Sequence, residues 1–164
     1  MNLLIIGAGG HGRVVKEVAE ATGMFEKIDF VDDNSTEAVG KIEDLQELRE
    51  KYEAAFVGVG NNKLRRELLL RLEEYGYRIP TLIHPTAYVS GSATIMPGTI
   101  VEPKAIVNAY SQVGVGCIIS VGAIVDHDVV LETCVHVNAG TICKAGSIVT
   151  METKLEAGQV VKGY

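Results

Sequence analysis

Between residues 83 and 161 every sixth position is aliphatic with one exception: Ile83, Val89, Ile95, Val101, Val107, Val113, Ile119, Val125, Leu131, Val137, Cys143, Val149, Leu155 and Val161. Four residues after each anchor the chain is mostly small, as at Ala87, Ala93, Thr99, Ala105, Ser111, Cys117 and Ala123 and again at Thr141, Ser147 and Thr153, with Val129 and Val135 between. A period of six matches neither the 3.6 of a helix nor the alternation of a long strand. It fits short strands joined by corners, each hexad turning one branched and one small side chain into a narrow core. Three hexads close a triangular coil. The segment therefore predicts a little over four coils stacked in one dimension, with neighbouring coils paired as parallel strands.

Charge divides the chain at the same place. Residues 1–82 carry 11 Lys and Arg against 15 Asp and Glu, whereas residues 83–164 carry 4 against 6, giving the net −6. An acidic chain with dispersed cations offers no stripe that tracks a phosphate backbone, so nucleic acid is not an expected partner. In the sparsely charged half, Ile100, Ile106, Ile118, Ile124, Ile142 and Ile148 each precede an anchor and are expected on outer faces or at corners. Apolar faces that broad predict a homo-oligomer. Cys117, Cys134 and Cys143 are odd in number and lack metal-ligand spacing, which favours buried reduced thiols. The opening apolar run is too short for a signal peptide or a membrane span and has no basic flank, so a cytoplasmic protein without membrane insertion is expected.

The first half reads as α/β. Residues 3–6 predict a buried strand, followed by "GAGGHG" and a helix over 13–21. Gly7, Gly9 and Gly12 satisfy G-x-G-x-x-G at a strand-to-helix junction, where backbone can approach a phosphate and the helix N-terminus offers free N–H groups. A second strand over 27–31 ends in Asp32 and Asp33, with Asp32 where a ribose-binding acid belongs in a dinucleotide fold. The remaining elements are a helix near 42–52, a strand over 54–59, a helix over 61–75 and a short strand near 79–82. These supply one βαβαβ half and bind one nucleotide, not a dinucleotide. Asn61 reads as the N-cap of the helix carrying Leu64, Leu68 and Leu72.

His127 lies two residues after the anchor Val125, at a corner pointing away from the core, between Asp126 and Asp128. An imidazole beside carboxylates is a stronger base than a free one. The plain alternative is a hydrogen-bonded surface histidine. Cys134 could be proposed as a nucleophile, but its acidic surroundings do not favour a thiolate.

The hexad string, with "HPTAYVSGSA" at its start and "VDHDVVLETCVHV" in its middle, resembles the hexapeptide-repeat acyltransferases, which are left-handed parallel β-helices. Within them it is most similar to the sugar acetyltransferases that join a small nucleotide-binding domain to the helix. These include sialic-acid O-acetyltransferases and the UDP-amino-sugar N-acetyltransferases of bacillosamine-type pathways. The resemblance covers nearly the whole chain. It implies a Rossmann-like nucleotide-sugar-binding half-domain over 1–82, a left-handed β-helix acyltransferase domain over 83–164, and a homotrimer about a three-fold axis. Acetyl-CoA would be the co-substrate and a nucleotide-linked amino sugar the acceptor, with O-acetylation of a sialic acid as the alternative. Carried over residue by residue, the substrate-binding positions fall on Gly9, Gly10, His11, Asp32, Asp33 and Gly60. His127 becomes the general base, Asp128 the residue that orients it, and His136 a contact to acetyl-CoA. Asp128 stands where some relatives have Glu, one methylene longer. After Lys144 the hexads run on without the glycine-marked coils and basic tail that often help hold coenzyme A. A third reading, a trimeric zinc enzyme resembling the β-helical carbonic anhydrases, would draw on His84, His127 and His136.

Overall fold

The computed structural model describes residues 1–164 and divides into two compact units, Met1–Pro80 and Thr81–Tyr164. The first holds a parallel three-stranded sheet in the order β2, β1, β3, with β1 Asn2–Ile6 at its centre, β2 Lys27–Val31 and β3 Ala54–Val57. Four residues of β1 and all of β3 are buried, as the continuous apolar runs of a covered parallel sheet require. Helix α1 (Gly10–Thr22) crosses from β1 to β2 and ends on Gly23, whose left-handed conformation closes its C-terminus. Between β2 and β3 the expected long helix is only a 3-10 turn, Ile42–Asp44, and one turn of α2, Leu45–Leu48. The Asp33 carboxylate and the Asp44 carboxylate hold that turn by accepting backbone N–H groups of Ile42 and Lys41.

Helix α3 (Asn62–Glu74) begins on Asn61, whose Oδ1 accepts the Leu64 N–H at 2.9 Å. Its buried stripe is Arg65, Leu68, Leu69 and Leu72, while Leu64 is exposed, so the apolar face is rotated from the one the leucine spacing predicts. The reason is Arg65. Its guanidinium is turned inward to donate to the carbonyls of Val59 and Gly60 and to Asn62 Oδ1. The fourth strand expected near 79–82 is absent from this sheet, which gains only an isolated bridge between Ala54 and Arg78. Leu82 belongs instead to the first strand of the second unit, where it pairs with Ile100.

The second unit is a left-handed parallel β-helix. Thirteen two-residue strands form three faces. One carries Leu82–Ile83, Ile100–Val101, Ile118–Ile119 and His136–Val137. The next carries Tyr88–Val89, Ile106–Val107, Ile124–Val125, Ile142–Cys143 and Val160–Val161, and the third Thr94–Ile95, Gln112–Val113, Val130–Leu131 and Ile148–Val149. The anchors from Val101 to Val149 fill one buried cluster with Ala105, Cys117, Ala123, Val129 and Val135. The outermost members are partly exposed because stacking ends beside them, Ile83 at 36%.

At four of these small positions a buried polar side chain is satisfied by backbone, whereas the buried Ser147 hydroxyl has no partner. Thr99, Ser111, Cys117 and Thr141 each donate to a carbonyl fifteen residues ahead, those of Gly114, Asp126, Glu132 and Glu156. A buried hydroxyl without such a partner would be destabilising by about 1–3 kcal/mol. Of the six outer isoleucines, Ile142 and Ile148 are exposed and Ile106 and Ile124 half-buried, but Ile100 and Ile118 are fully buried within the single chain, contrary to expectation. All three cysteines are buried and none is in a disulfide. No helix is long and apolar enough to cross a membrane.

Close approach explains two of the glycines. A Cβ on Gly12 would sit 1.9 Å from the Gly7 carbonyl oxygen, and one on Gly58 would sit 2.8 Å from the Gly12 Cα. Replacing Gly12 by Ala gains about 1 kcal/mol of helix propensity. The overpacking works against this, since such crowding costs about 1–3 kcal/mol in ordinary cases and more when the obstacle is backbone. Gly12→Ala should therefore lower the urea midpoint of unfolding; an unchanged midpoint would mean that α1 sits farther from β1 than described.

Candidate functional site

In the first unit the chemistry gathers where β1 and β2 end. The lining of a cavity of about 390 Å³ includes Ala8, Gly9, Arg13, Asp32, Asn34 and Glu37. Asp32 accepts the Ala8 N–H at 2.9 Å and the Asn34 N–H at 2.8 Å, tying the glycine loop to the turn after β2. Those backbone donors, Ala8 first, hold its carboxyl below the ordinary range, so it is a carboxylate at neutral pH. Asp33 faces a neighbouring cavity of about 380 Å³ with Lys41, Ile42, Glu43 and Arg71. The expected acidic pair is thus split between two hollows.

The glycines of this region sort into two kinds. Gly7, Gly12 and Gly58 are required by the fold, through a positive φ or a close backbone neighbour. Gly9, Gly10 and Gly60 have ordinary φ, and a Cβ on any of them would meet nothing within 4 Å. Protein packing does not ask for glycine at those three places. Gly9 and Gly10 leave open space at the N-terminus of α1, whose cap has no side-chain partner and whose first turn has no acidic residue. A phosphate group fits such a surface. Arg13, in the same cavity, meets Glu37 at 3.7 Å with both side chains mostly exposed. His11 stands in the first turn of α1, half-buried.

In the second unit His127 occupies the corner after Ile124–Val125. Asp128 has φ 56°, in the left-handed region that Asp tolerates better than most residues. Consecutive side chains on a strand point to opposite faces. The left-handed corner cancels that alternation and brings the Asp128 carboxylate back to the imidazole, Oδ2 to Nδ1 at 2.7 Å. The shorter acid therefore closes the pair. Both side chains are about half exposed, and the second ring nitrogen, Nε2, takes no part in that contact. Below the ring, Asp126 Oδ1 accepts the His127 N–H at 2.8 Å and the Asn108 side-chain amide at 3.1 Å. Hydrogen bonding to Asp128, with the charges of Asp126 and Asp128 behind it, raises the His127 pKa above its ordinary 6.5.

The remaining histidines differ. His136 lies on another face of the prism, in register with Ile118, and its Nε2 is 3.2 Å from Ser120 Oγ. Within one chain the fold does not bring His127 and His136 to the same corner. His84 Nδ1 accepts the Thr86 N–H and meets the Thr86 hydroxyl, shaping the turn that leads into the coil. No three His, Cys, Asp or Glu side chains of one chain gather as a metal site. Cys134 is fully buried, and burial pushes the Cys143 thiol up to about 11, so neither is placed to be a nucleophile. The sequence alone did not point to Asn108, Arg13 or Arg65. Asn108 could have been found by its register with Asp126, eighteen residues on.

Residues 2–72 match the PglD N-terminal domain. Over 109 residues the chain is 35% identical to UDP-N-acetylbacillosamine N-acetyltransferase of Bacillus subtilis (strain 168), covering 61% of this chain and 50% of that protein. The matched stretch thus spans about half the length of that curated relative. The acetyltransferase domain of PglB from Neisseria gonorrhoeae FA1090, solved in complex with acetyl coenzyme A, is 36% identical with a TM-score of 0.94, over 99% of this chain and 82% of that one. A variant of perosamine N-acetyltransferase from Caulobacter crescentus, in complex with CoA and GDP-perosamine, is 31% identical with a TM-score of 0.91, over 99% and 89%.

The His127 geometry has a direct consequence in solution. An NMR titration should place the His127 midpoint above 6.5. Asp128→Asn, which removes the carboxylate and keeps the shape, should lower that midpoint. Equal midpoints in the two proteins would show that the 2.7 Å contact does not persist in water.

Proposed function

Because the chain belongs to the hexapeptide-repeat sugar acetyltransferases of the bacillosamine type, we propose that it transfers an acetyl group from acetyl-CoA to the amine of a nucleotide-linked, UDP-bearing amino sugar. The observation that carries this reading is the His127–Asp128 pair, an imidazole at a half-exposed corner whose Nδ1 is engaged at 2.7 Å, leaving Nε2 as the nitrogen for a substrate. In that role Asp128 fixes the tautomer and Nε2 takes the proton. The nitrogen–carbon bond forms as the amine attacks the thioester carbonyl, the carbon–sulfur bond breaks, and coenzyme A leaves as the thiolate. General-base help of this kind is worth about 10²–10⁴-fold in rate.

The two cavities of the first unit suit the acceptor's nucleotide. Its phosphates would lie over Gly9, Gly10 and the N-terminus of α1, near His11, with Asp32 and Asp33 toward the ribose and base and Gly60 leaving room opposite. Relatives solved or named with UDP-linked and GDP-linked amino sugars support that substrate class. The donor is read as meeting His136. Since His127 and His136 lie on different parts of one prism, a single acetyl-CoA touching both would run between subunits, which supports a homotrimer. The outer row Tyr88, Ile106, Ile124, Ile142 and Val160 is the apolar face we assign to that contact, with Tyr88 and Val160 each more than half exposed.

Thiol release from acetyl-CoA, followed with UDP-4-amino sugars, GDP-perosamine and sialic acids, tests the reading. Release with an amino sugar and its loss by at least about 10²-fold in His127→Ala is the expected result; release with sialic acids alone would replace N- by O-acetylation. The base must be neutral to act, so kcat/KM should fall as pH drops through the raised His127 pKa, and Asp128→Asn should move that limb to lower pH. Gly10→Val should weaken binding of the nucleotide sugar while leaving the thermal midpoint nearly unchanged, since nothing lies within 4 Å of its Cβ. Ile124→Asp combined with Ile142→Asp should convert the trimer to monomers in sedimentation, and an intact trimer would move the interface to another face.

A further inference from the structure

The corner that carries His127 is held from the layer before it. Strand pairing sets Val125 beside Val107, which puts Asn108 next to Asp126 in its column. The Asn108 side chain works in two directions at once. Its Oδ1 accepts the Ala109 N–H at 2.8 Å, and its Nδ2 donates to Asp126 Oδ1 at 3.1 Å. Turned over, the amide would set its NH2 against an N–H and its oxygen against a carboxylate, so only this orientation satisfies both neighbours. The Ala109 carbonyl in turn accepts the Asp128 N–H at 3.0 Å. Both residues that flank His127 are thus anchored through Asn108, Asp126 by the amide and Asp128 by way of Ala109.

Capping a corner does not by itself account for this amide. Asn138, at another edge of the prism, accepts the Ala139 N–H at 2.9 Å in the same way. Nor is the left-handed corner peculiar to the site, since Tyr110 has φ 58° one layer before Asp128. What sets Asn108 apart is the bond to Asp126. The same Asp126 oxygen accepts the His127 N–H, and these two donors, His127 first, hold the Asp126 carboxyl below its ordinary range. The Ser111 hydroxyl, also from the layer before, donates to the Asp126 carbonyl.

From these contacts we infer that Asn108 is a positioning residue for the reaction: acting through Asp126 and Asp128, it holds imidazole and carboxylate in contact before substrate arrives, a role that rests on reading His127 as the base. In a corner without that hold, the Asp128 carboxylate would turn to water, and the imidazole would lose its fixed tautomer together with the partner that strengthens it. Lys144 follows Asp126 in the column and the Tyr164 ring lies 6.3 Å from the imidazole, but the base is strengthened by the hydrogen bond to Asp128 first and by the charges of Asp126 and Asp128 after it.

The experiment sets three variants beside wild type and Asp128→Asn on acetyl-CoA and one nucleotide amino sugar. Asn108→Leu removes both bonds, Asn108→Asp keeps the acceptor for Ala109 and loses the donor to Asp126, and the third combines Asn108→Leu with Asp128→Asn. In both single variants at position 108 kcat should fall about tenfold or more, with KM for either substrate unchanged. In Asn108→Leu the acid limb of kcat/KM and the His127 midpoint in an NMR titration should also move to lower pH, and in the combined variant both should lie where Asp128→Asn alone puts them. A residue that only stabilised the corner would lower the thermal midpoint and leave the His127 midpoint in place. A wild-type His127 midpoint in Asn108→Leu, or a wild-type kcat in Asn108→Asp, overturns the inference and leaves the acetyltransferase reading intact. If Asn108→Leu does not fold, kcat of Asn108→Asp decides, because its corner stays capped. Wild type that acylates no nucleotide amino sugar overturns the acetyltransferase reading, and the catalytic role of Asn108 with it.

Discussion

Inter-coil hydrogen bonds such as Asp126 N–H to the Cys143 carbonyl and Lys144 N–H to the Val161 carbonyl hold each coil to the next, in a register that sets every residue beside the one eighteen positions on. Because Ile106, Ile124 and Ile142 are direct neighbours, a position in the hexad is also a place in a column. The core, the outer faces and the corner chemistry all depend on this pairing. Without it Val125 and Val107 share no layer, and Asn108 has no reason to meet Asp126.

The pairing also explains how a site can be built on two-residue strands. Rigidity comes from the stack, so a corner can hold an unusual conformation. Asp128 uses that freedom to turn its carboxylate onto its own neighbour, a contact an extended chain forbids. The first unit reaches the same end by another route. There the precision lies in glycines that press backbone against backbone at Gly7, Gly12 and Gly58, and in the inward guanidinium of Arg65, which holds the Val59 and Gly60 carbonyls after β3. These packing devices frame the open glycines, Gly9, Gly10 and Gly60.

Most of the β-helix was legible because its period repeats thirteen times and each repeat restates the same inward pair. The corner position of His127 followed from that register alone. What escaped was whatever the period does not encode. Whether the Asp128 carboxylate reaches the imidazole depends on a single dihedral angle. The burial of Ile100 and Ile118 beside the exposure of Ile148 depends on surroundings that hexad arithmetic treats as equal. In the first unit the signals were short and ambiguous. The leucine spacing of α3 pointed to Leu64, but an arginine with three acceptors took the inward place. Residues 42–52 had helical composition, yet Asp33 and Asp44 fixed a tighter turn at their start.

Column stacking also restricts how such a chain can change length over evolutionary time. Loss or gain of one residue inside the helix would shift every later side chain out of phase, anchors included. A change of six would keep the inward pair inward but pass every later residue to the next face, so that His127 would leave the corner it shares with Asn108 and Lys144. Only a whole coil, the eighteen-residue spacing that links Thr99 to Cys117 and Ser111 to Val129, preserves both phase and face. Insertions of other lengths can enter only as loops that bulge from a corner. The corner at Asp126–Asp128 is poorly suited to accept them, because Asp126 holds Asn108 of the layer before and the His127 carbonyl accepts the Gly146 N–H of the layer after.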